Sequence, residues 1–375
     1  MYHAYPGQSV VTAQIGRRAH PDVLANTIAQ YAVAQILGRD PTAKADLNII
    51  VGKSVFLDGK IGSANPPSQT ELAGTIARTL VDSGYTAQWG YDPGEREIFV
   101  STSGQSPNIR AALSNGGAGD TITKVGFATN ESEEYLPMPH ILVRRIASRL
   151  DQAFASGTIE GLGPDGKLNL AMAYGGGKPA YVSEVIIAAQ HKEGIDIGRF
   201  KEDIGNLVIS ELGSYYDFQR TGIMINAGGL FVYGGPLIDA GVKGKKDADH
   251  TYGNIVGHTG GSAYGKDPNK VDFHALVAAR QVAKSIVAAG IADVARVDIT
   301  YVIGVENPVA VSINTFGTSD VPESKLVEHV RCKINLRPKE VIERLGLREN
   351  LGIFPETAKY FFKPNPFPWE KIIGL

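Results

Sequence analysis

Between His258 and Asp272 the chain reads HTGGSAYGKDPNKVD, a run whose residue types suit a polyanion: close-approaching glycines, Lys266, Lys270 and the terminal carboxylate. Gly260, four residues, Gly265 and Lys266 match the spacing of a phosphate-binding loop, but Asp267 stands where that loop needs Ser or Thr for Mg²⁺. The preceding GKKDADHTYGNIVGH is polar where a buried strand is required, and DPNK delays the next helix to about residue 272. The context argues against a Walker-type hydrolase. It leaves a solvated loop or a polyanion cradle of another kind; Lys243, Lys245 and Lys246 of the upstream KGKK read first as a solvated face, and their nearness to the glycines and to Asp239, Asp267 and Asp272 keeps the cradle open.

Three other stretches can carry chemistry. AHPDV places His20 at or beside the first cap of a helix and Asp22 in its first turn, where the helix dipole favours an anion. That reads either as a capping acid beside a surface histidine or as an oxygen ligand for Mg²⁺. SNGGAGDTI leads glycines into Asp120, and GPDGK (163–167) reads as a tight turn carrying Lys167.

These residues need elements to hold them. Helical periodicity runs through Leu24, Ile28, Ala32 and Ile36, with Pro21 in the first turn and Gly38 as the stop. A similar helix runs through Leu142, Ile146 and Leu150, and a third spans 272–289 with Asp272 as its cap and Gly290 as its stop. Each is followed by a β-rich stretch and then a second helix, SQTELAGTIARTLVDSG, IGRFKEDIGNLVISELG and ESKLVEHVRCKI. The unit recurs every 115 to 135 residues or so, which predicts an α+β protein of three related lobes, drawn at 1–110, 111–229 and 230–375.

Composition bounds the rest. With 43 % apolar residues, 20 % charged and a net charge of −2, nothing predicts general affinity for nucleic acid or an anionic membrane. Cys332 is the only cysteine, so no disulfide forms within the chain. The opening MYHAYPGQSVVTAQIGRRAH lacks a long apolar run, and the expected location is cytoplasmic.

Taken together, AHPD, GQSPNI, GGAGD, VGFATNES, GPDGK, AAQHKEGID, FVYGGPLIDAG, TGGSAYGKDPNKVD, VAKSIVAAGIAD, YVIGVENP and FPWEK resemble, in order, the motifs of methionine adenosyltransferases (S-adenosylmethionine synthetases). The resemblance runs from about residue 10 to 371 and implies three α+β lobes with pseudo-threefold symmetry. It also implies a homodimer or dimer of dimers with active sites between subunits. In the implied reaction the thioether of L-methionine attacks C5′ of ATP and expels triphosphate, which is then cleaved to pyrophosphate and phosphate. Sulfur needs no base; alignment and stabilisation of the leaving polyanion are the tasks. The resemblance assigns the triphosphate to Lys167, Lys245, Lys246 and Lys266, Mg²⁺ to Asp22 and Asp272, and the bridging oxygen at C5′ to His20. It places Asp120 at the adenosine–methionine junction, Phe231 and Ile303 on adenine, and Gly260, Gly261 and Asp165 on the ATP side. Gln105, Asp239, Lys270 and Lys60 fall at methionine-side positions.

The chain also departs from the family pattern. Val23 replaces a phosphate-side lysine, Gln14 stands where an acid is expected, and Lys245 replaces an arginine and loses its bidentate fork. Leu47 or Asn48 stands where an acid helps hold K⁺, which puts K⁺ in doubt. Lys60, in DGKI, reverses the charge of a glutamate that meets the methionine ammonium. Two further readings therefore stand beside the first: a paralogue that adenosylates another sulfur compound, and a non-catalytic assembly partner.

Overall fold

The computed structural model describes residues 10–104, 116–358, 360–362 and 367–375. The chain starts with β1 (Val10–Gly16), α1 (Pro21–Arg39), β2 (Lys44–Val51), β3 (Val55–Gly62), α2 (Gln69–Asp82) and β4 (Ile98–Ser103). It continues through β5 (Ile122–Thr129), α3 (Met138–Ser156), β6 (Leu162–Gly175), β7 (Lys178–His191), α4 (Ile197–Leu212) and β8 (Gly222–Ile225). The last third holds β9 (Gly241–Val242), α5 (Asp247–His250), α6 (Val271–Ala288), β10 (Val294–Tyr301) and β11 (Ala310–Asn314). It closes with α7 (Glu323–Lys333), α8 (Pro338–Arg344) and α9 (Ile353–Thr357).

Among the described residues three sheets form, each covered by helices: β4-β3-β2-β9 by α1 and α2, β1-β6-β7-β8 by α3 and α4, and β11-β10-β5 by α6 and α7. The fold is thus α+β in three sheet-and-helix units. Sheet membership crosses the contiguous boundaries at 110 and 229. β1 leaves the first segment to pair antiparallel with β6, β5 pairs with β10, and β9 returns to β2. Such pairings connect residues over a hundred positions apart, and no local pattern encodes them.

The helix through Leu24 and Ile36 and the helix after Asp272 are buried on nearly every side rather than on one stripe, because each lies between a sheet and further helices. Gly38 does not end α1; the helix runs to Arg39 and stops at Asp40, which precedes Pro41 and is driven out of the α region. Asp272 is not a cap either. Lys270 holds the cap position of α6, and Asp272 lies in its first turn. GPDGK is no turn: residues 163–166 belong to β6, which carries a register irregularity there against β7. α2 starts on a full capping box, with Ser68 and Glu71 bonding each other's backbone N–H.

Three interior histidines make the fold acid-sensitive. Burial lowers His140 and His250 to about 3 and His274 to about 4, whereas an unfolded chain binds these protons near 6.5. Their folded pKa values are depressed, so stability is full above about pH 6.5 and declines as pH falls toward 4. Each contributes up to about 1.4 kcal/mol per pH unit over that window. The melting temperature is expected to drop between pH 7.5 and 5, and His140→Phe to shallow the slope. A melting temperature flat across that range would contradict it.

Candidate functional site

Both of these largely buried helices start with the same device. Asp22 and Asp272 each occupy the first turn, where the N-terminal dipole stabilises a carboxylate, and each faces two lysine ammoniums. Lys245 Nζ stands 3.7 Å from Asp22 Oδ1 and Lys246 Nζ 3.3 Å from Oδ2. Lys266 bonds Asp272 Oδ2, and Lys124 Nζ stands 3.0 Å from Oδ1. The corresponding helix of the central unit, α3, has no acid in its first turn.

The α1 end is built by close backbone approach. His20 caps the helix; its Nδ1 accepts the Asp22 N–H at 3.2 Å, which leaves the neutral ring's proton on Nε2. Burial pulls the His20 pKa down, against the opposing pull of Asp165 and Asp22. A Cβ at Gly241 would lie 2.0 Å from Pro21 O, so only glycine lets β9 pass this helix terminus. The following loop is clamped to α1 one helical turn apart: Val242 N–H donates to Asp22 Oδ1 (2.9 Å) and Gly244 N–H to Asn26 Oδ1 (2.8 Å). Those bonds hold Lys245 and Lys246 over the carboxylate, while Lys243 faces the charges of Lys266, Asp46, Asp247 and Asp272.

Asp165 closes the far side, accepting from Gly235 N–H at 2.8 Å and Gly166 N–H at 2.7 Å. Burial raises its pKa, and His20 opposes that. Phe231 packs by the same turn, where a Cβ at Gly234 would touch both its ring and Asp165 Oδ2, and its backbone pairs with His191. Asp239, exposed, lies near enough to favour protonated His20. Lys167 sits on β6 opposite Gly16 of β1.

The α6 end gathers Lys266, Asp272, Gly260, Gly261 and Lys270. Lys124 Nζ donates to Gly260 O at 3.0 Å and Gly261 O at 2.7 Å. A Cβ at Gly261 (φ 80°) would lie 2.1 Å from Asp272 Oδ1, so the loop backbone covers that oxygen. Burial alone would raise the Asp272 carboxyl, but Lys124 and Lys266 hold it below the ordinary carboxylate range. Lys270 Nζ bonds Asp46 Oδ2 at 3.1 Å, and Lys60 stands directly across β2–β3 from Asp46, exposed on the same face. Asp120 is exposed, bonds Thr121 N–H, and neighbours Ile303, whose N–H donates to Thr121 Oγ1 at 3.0 Å. Gln105 lies outside the described residues.

The expected residues thus fall into two groups. His20, Asp22, Asp165, Lys167, Phe231, Asp239, Lys245 and Lys246 surround the start of α1. The glycine loop, Lys266, Lys270, Asp272, Asp46 and Lys60 surround the start of α6, and Asp120 and Ile303 stand beside the entry to β5. Phe231 and Ile303, expected on one adenine, stand in different groups.

Sequence reasoning missed four members. Lys124 lies in a strand that gave no sign of a charged pocket. Asp46 precedes the expected acid position: Leu47 is buried, while Asp46 bridges the Lys266 backbone. Asp249 accepts from Gln14 Nε2 at 2.9 Å, so an acid does stand beside that glutamine. Asp247, bonded by Ser262 Oγ, is raised by burial to about 7. Only the acid-rich DADH of α5 hinted at the last two.

Among the described residues, no three His, Cys, Asp or Glu side chains converge as a metal cage. Mg²⁺ at Asp22 would therefore take phosphate oxygens for most of its shell, a common arrangement for this ion. Asp22 fits such use, since both its ammoniums reach in from a loop and Lys245 is 51 % exposed. Asp272 does not fit: Gly261 covers its Oδ1, and Lys124, paired with that oxygen, is only 3 % exposed, where Lys245 at Asp22 is half-exposed.

Comparison with known families finds that residues 115–231 match the S-adenosylmethionine synthetase central domain and residues 233–371 its C-terminal domain.

Proposed function

Because the chain belongs to the S-adenosylmethionine synthetase family, we propose that it transfers the adenosyl group of ATP to the sulfur of L-methionine. A sulfur lone pair forms the S–C5′ bond, the C5′–O bond breaks, and its electron pair leaves with the triphosphate. Water then cleaves the triphosphate to pyrophosphate and phosphate.

One observation supports this reading above the others: two buried helix starts, each with a first-turn carboxylate under paired lysines, and His20 at one of them. A leaving group of roughly four negative charges needs such fixed cations in a site shielded from water. His20 Nε2–H is the donor for the departing oxygen, Lys245, Lys246 and Lys167 receive the polyphosphate, and Phe231 supports adenine. Mg²⁺ at Asp22 supplies further charge to the phosphates when bound.

The two groups meet across a homodimer. On the outer face of β4-β3-β2-β9, the paired residues Val242, Ile50, Phe56 and Phe99 form an exposed apolar row, with the two phenyl rings stacked at 5.0 Å. Two steps along the same face, Asp46 and Lys60 pair beside Ser103. Val242 also carries the N–H that holds Asp22. A contiguous apolar row bordered by site residues suits a second copy, which would bring Asp120 and Ile303 to the His20 group. Phe56→Glu is expected to weaken self-association by about 30-fold or more, and turnover falls with it. Light scattering and assays over a dilution series read this; an unchanged oligomer would contradict it.

Lys60 favours a second substrate class. Asp46 already has Lys270, so among the described residues Lys60 adds an unmatched cation beside the expected methionine side. An acidic thioether lacking the free amine would suit it. A substrate panel assayed for adenosylated product decides: methionine should outpace its des-amino analogue. The reverse order would move the reading to the acidic substrate, and no product from any sulfur compound would leave the assembly-partner reading.

A further inference from the structure

We propose that Lys124 is a resident cation at Asp272, so that the α6 helix start holds an ammonium where the α1 start has room for a divalent ion. The inference rests on the proposed polyphosphate site for its purpose, but its geometry stands alone.

The two helix starts look alike and differ in how their cations are anchored. At Asp22 the lysines come from the loop after β9, and Lys245 Nζ is 3.7 Å away on a half-exposed side chain. Lys246 is only 13 % exposed, but Lys245 can swing into solvent. Lys124 cannot. It is the third residue of β5, with its side chain only 3 % exposed. Its ammonium touches three oxygens: Gly260 O at 3.0 Å, Gly261 O at 2.7 Å and Asp272 Oδ1 at 3.0 Å. An ammonium has three donors. The two carbonyls take aligned hydrogen bonds; the carboxylate contact is an ion pair without hydrogen-bond alignment.

An ammonium this deeply buried is costly unless it is paired and bonded, and here it is both. The oxygen set it occupies, two backbone carbonyls and a carboxylate, is of the kind a hard divalent cation would take. Lys266 covers the other carboxylate oxygen. A divalent ion entering there would need to displace Lys124 from its three oxygens into a narrow recess lined by Val125, Val256 and Leu276 together with Thr251, Tyr252, His258 and Thr259, where no carboxylate waits for it. The arrangement also fixes Gly260 and Gly261 in place before any phosphate arrives. Lys124 thus supplies one fixed positive charge and preorganises the loop together.

Mn²⁺ serves as the probe, because its electron paramagnetic resonance signal counts bound ions without any turnover. With Mn²⁺ and a non-hydrolysable ATP analogue, Asp22→Asn should lose a bound ion and Asp272→Asn should lose none. Lys124→Met should gain one Mn²⁺ per chain, and the added ion should vanish in Lys124→Met/Asp272→Asn. Anomalous scattering from wild-type crystals grown with Mn²⁺ and the analogue needs no variant; it should place Mn²⁺ beside Asp22 and none beside Asp272. A Mn²⁺ peak on Asp272 in the wild type, or a folded Lys124→Met that gains no ion, would overturn the proposal. Failure of adenosyl transfer would not, since none of these readouts depends on product.

Discussion

Replacing His20 with alanine is expected to lower turnover by about 10²–10³-fold, the range for losing one donor aimed at a developing oxyanion. Binding of an ATP analogue should change little. The ring is neutral because burial lowers its pKa, and Nδ1 is engaged by the Asp22 N–H, so Nε2–H is the face left for the leaving oxygen. Alanine also removes a helix cap, at about 0.5–2 kcal/mol. His20→Asn separates the two effects, since asparagine caps well but has no imidazole. If the ring serves the chemistry, His20→Asn melts near the wild type and turns over as poorly as His20→Ala. A fast His20→Asn enzyme would reduce His20 to a cap.

The second large effect concerns stability. Glu370→Gln is expected to cost about 3–5 kcal/mol, as breaking a buried ion pair does. Glu370 binds Arg280 through both carboxylate oxygens, at 2.9 and 3.0 Å, and Lys284 at 2.8 Å, all in the interior. Arg280 spends its remaining donors on the carbonyls of Phe127, Glu134 and Tyr135. One carboxylate therefore ties the C-terminal segment to α6 and to β5. Trp369 beside it is fully buried and stacks on Phe367 at 4.6 Å. Removing the charge strands two buried cations. Denaturant unfolding measures the loss; a change under about 1 kcal/mol would show that Arg280 and Lys284 are otherwise compensated. Arg280→Met/Lys284→Met/Glu370→Leu should unfold later than Glu370→Gln, because no uncompensated charge remains.

What could be read in advance follows the range of the interactions. The helix starts at Pro21 and near Val271 and the β-rich stretch that follows α1 were legible, since propensity and spacing act over a few residues. His20 and Asp22 were legible for the same reason: cap and first turn are local. Lys124 was not, because its partners lie 136 to 148 positions away and nothing in TITKVGF marks a buried charge. Asp46 lay hidden one place from the expected position, on the outward side of a strand whose next residue points inward. The role of FPWEK could be noticed but not explained until Arg280 and Lys284 appeared across from Glu370.

The most direct measurement follows the carbon that changes partners. ATP labelled with ¹³C at C5′ is incubated with L-methionine and the native protein, and carbon resonance and phosphate release are recorded together. The account predicts that the label shifts from an oxygen-bound to a sulfonium-bound position while all three phosphates leave adenosine. A label that stays on oxygen, with only the terminal phosphates removed, would mean ordinary nucleotide hydrolysis and contradict it.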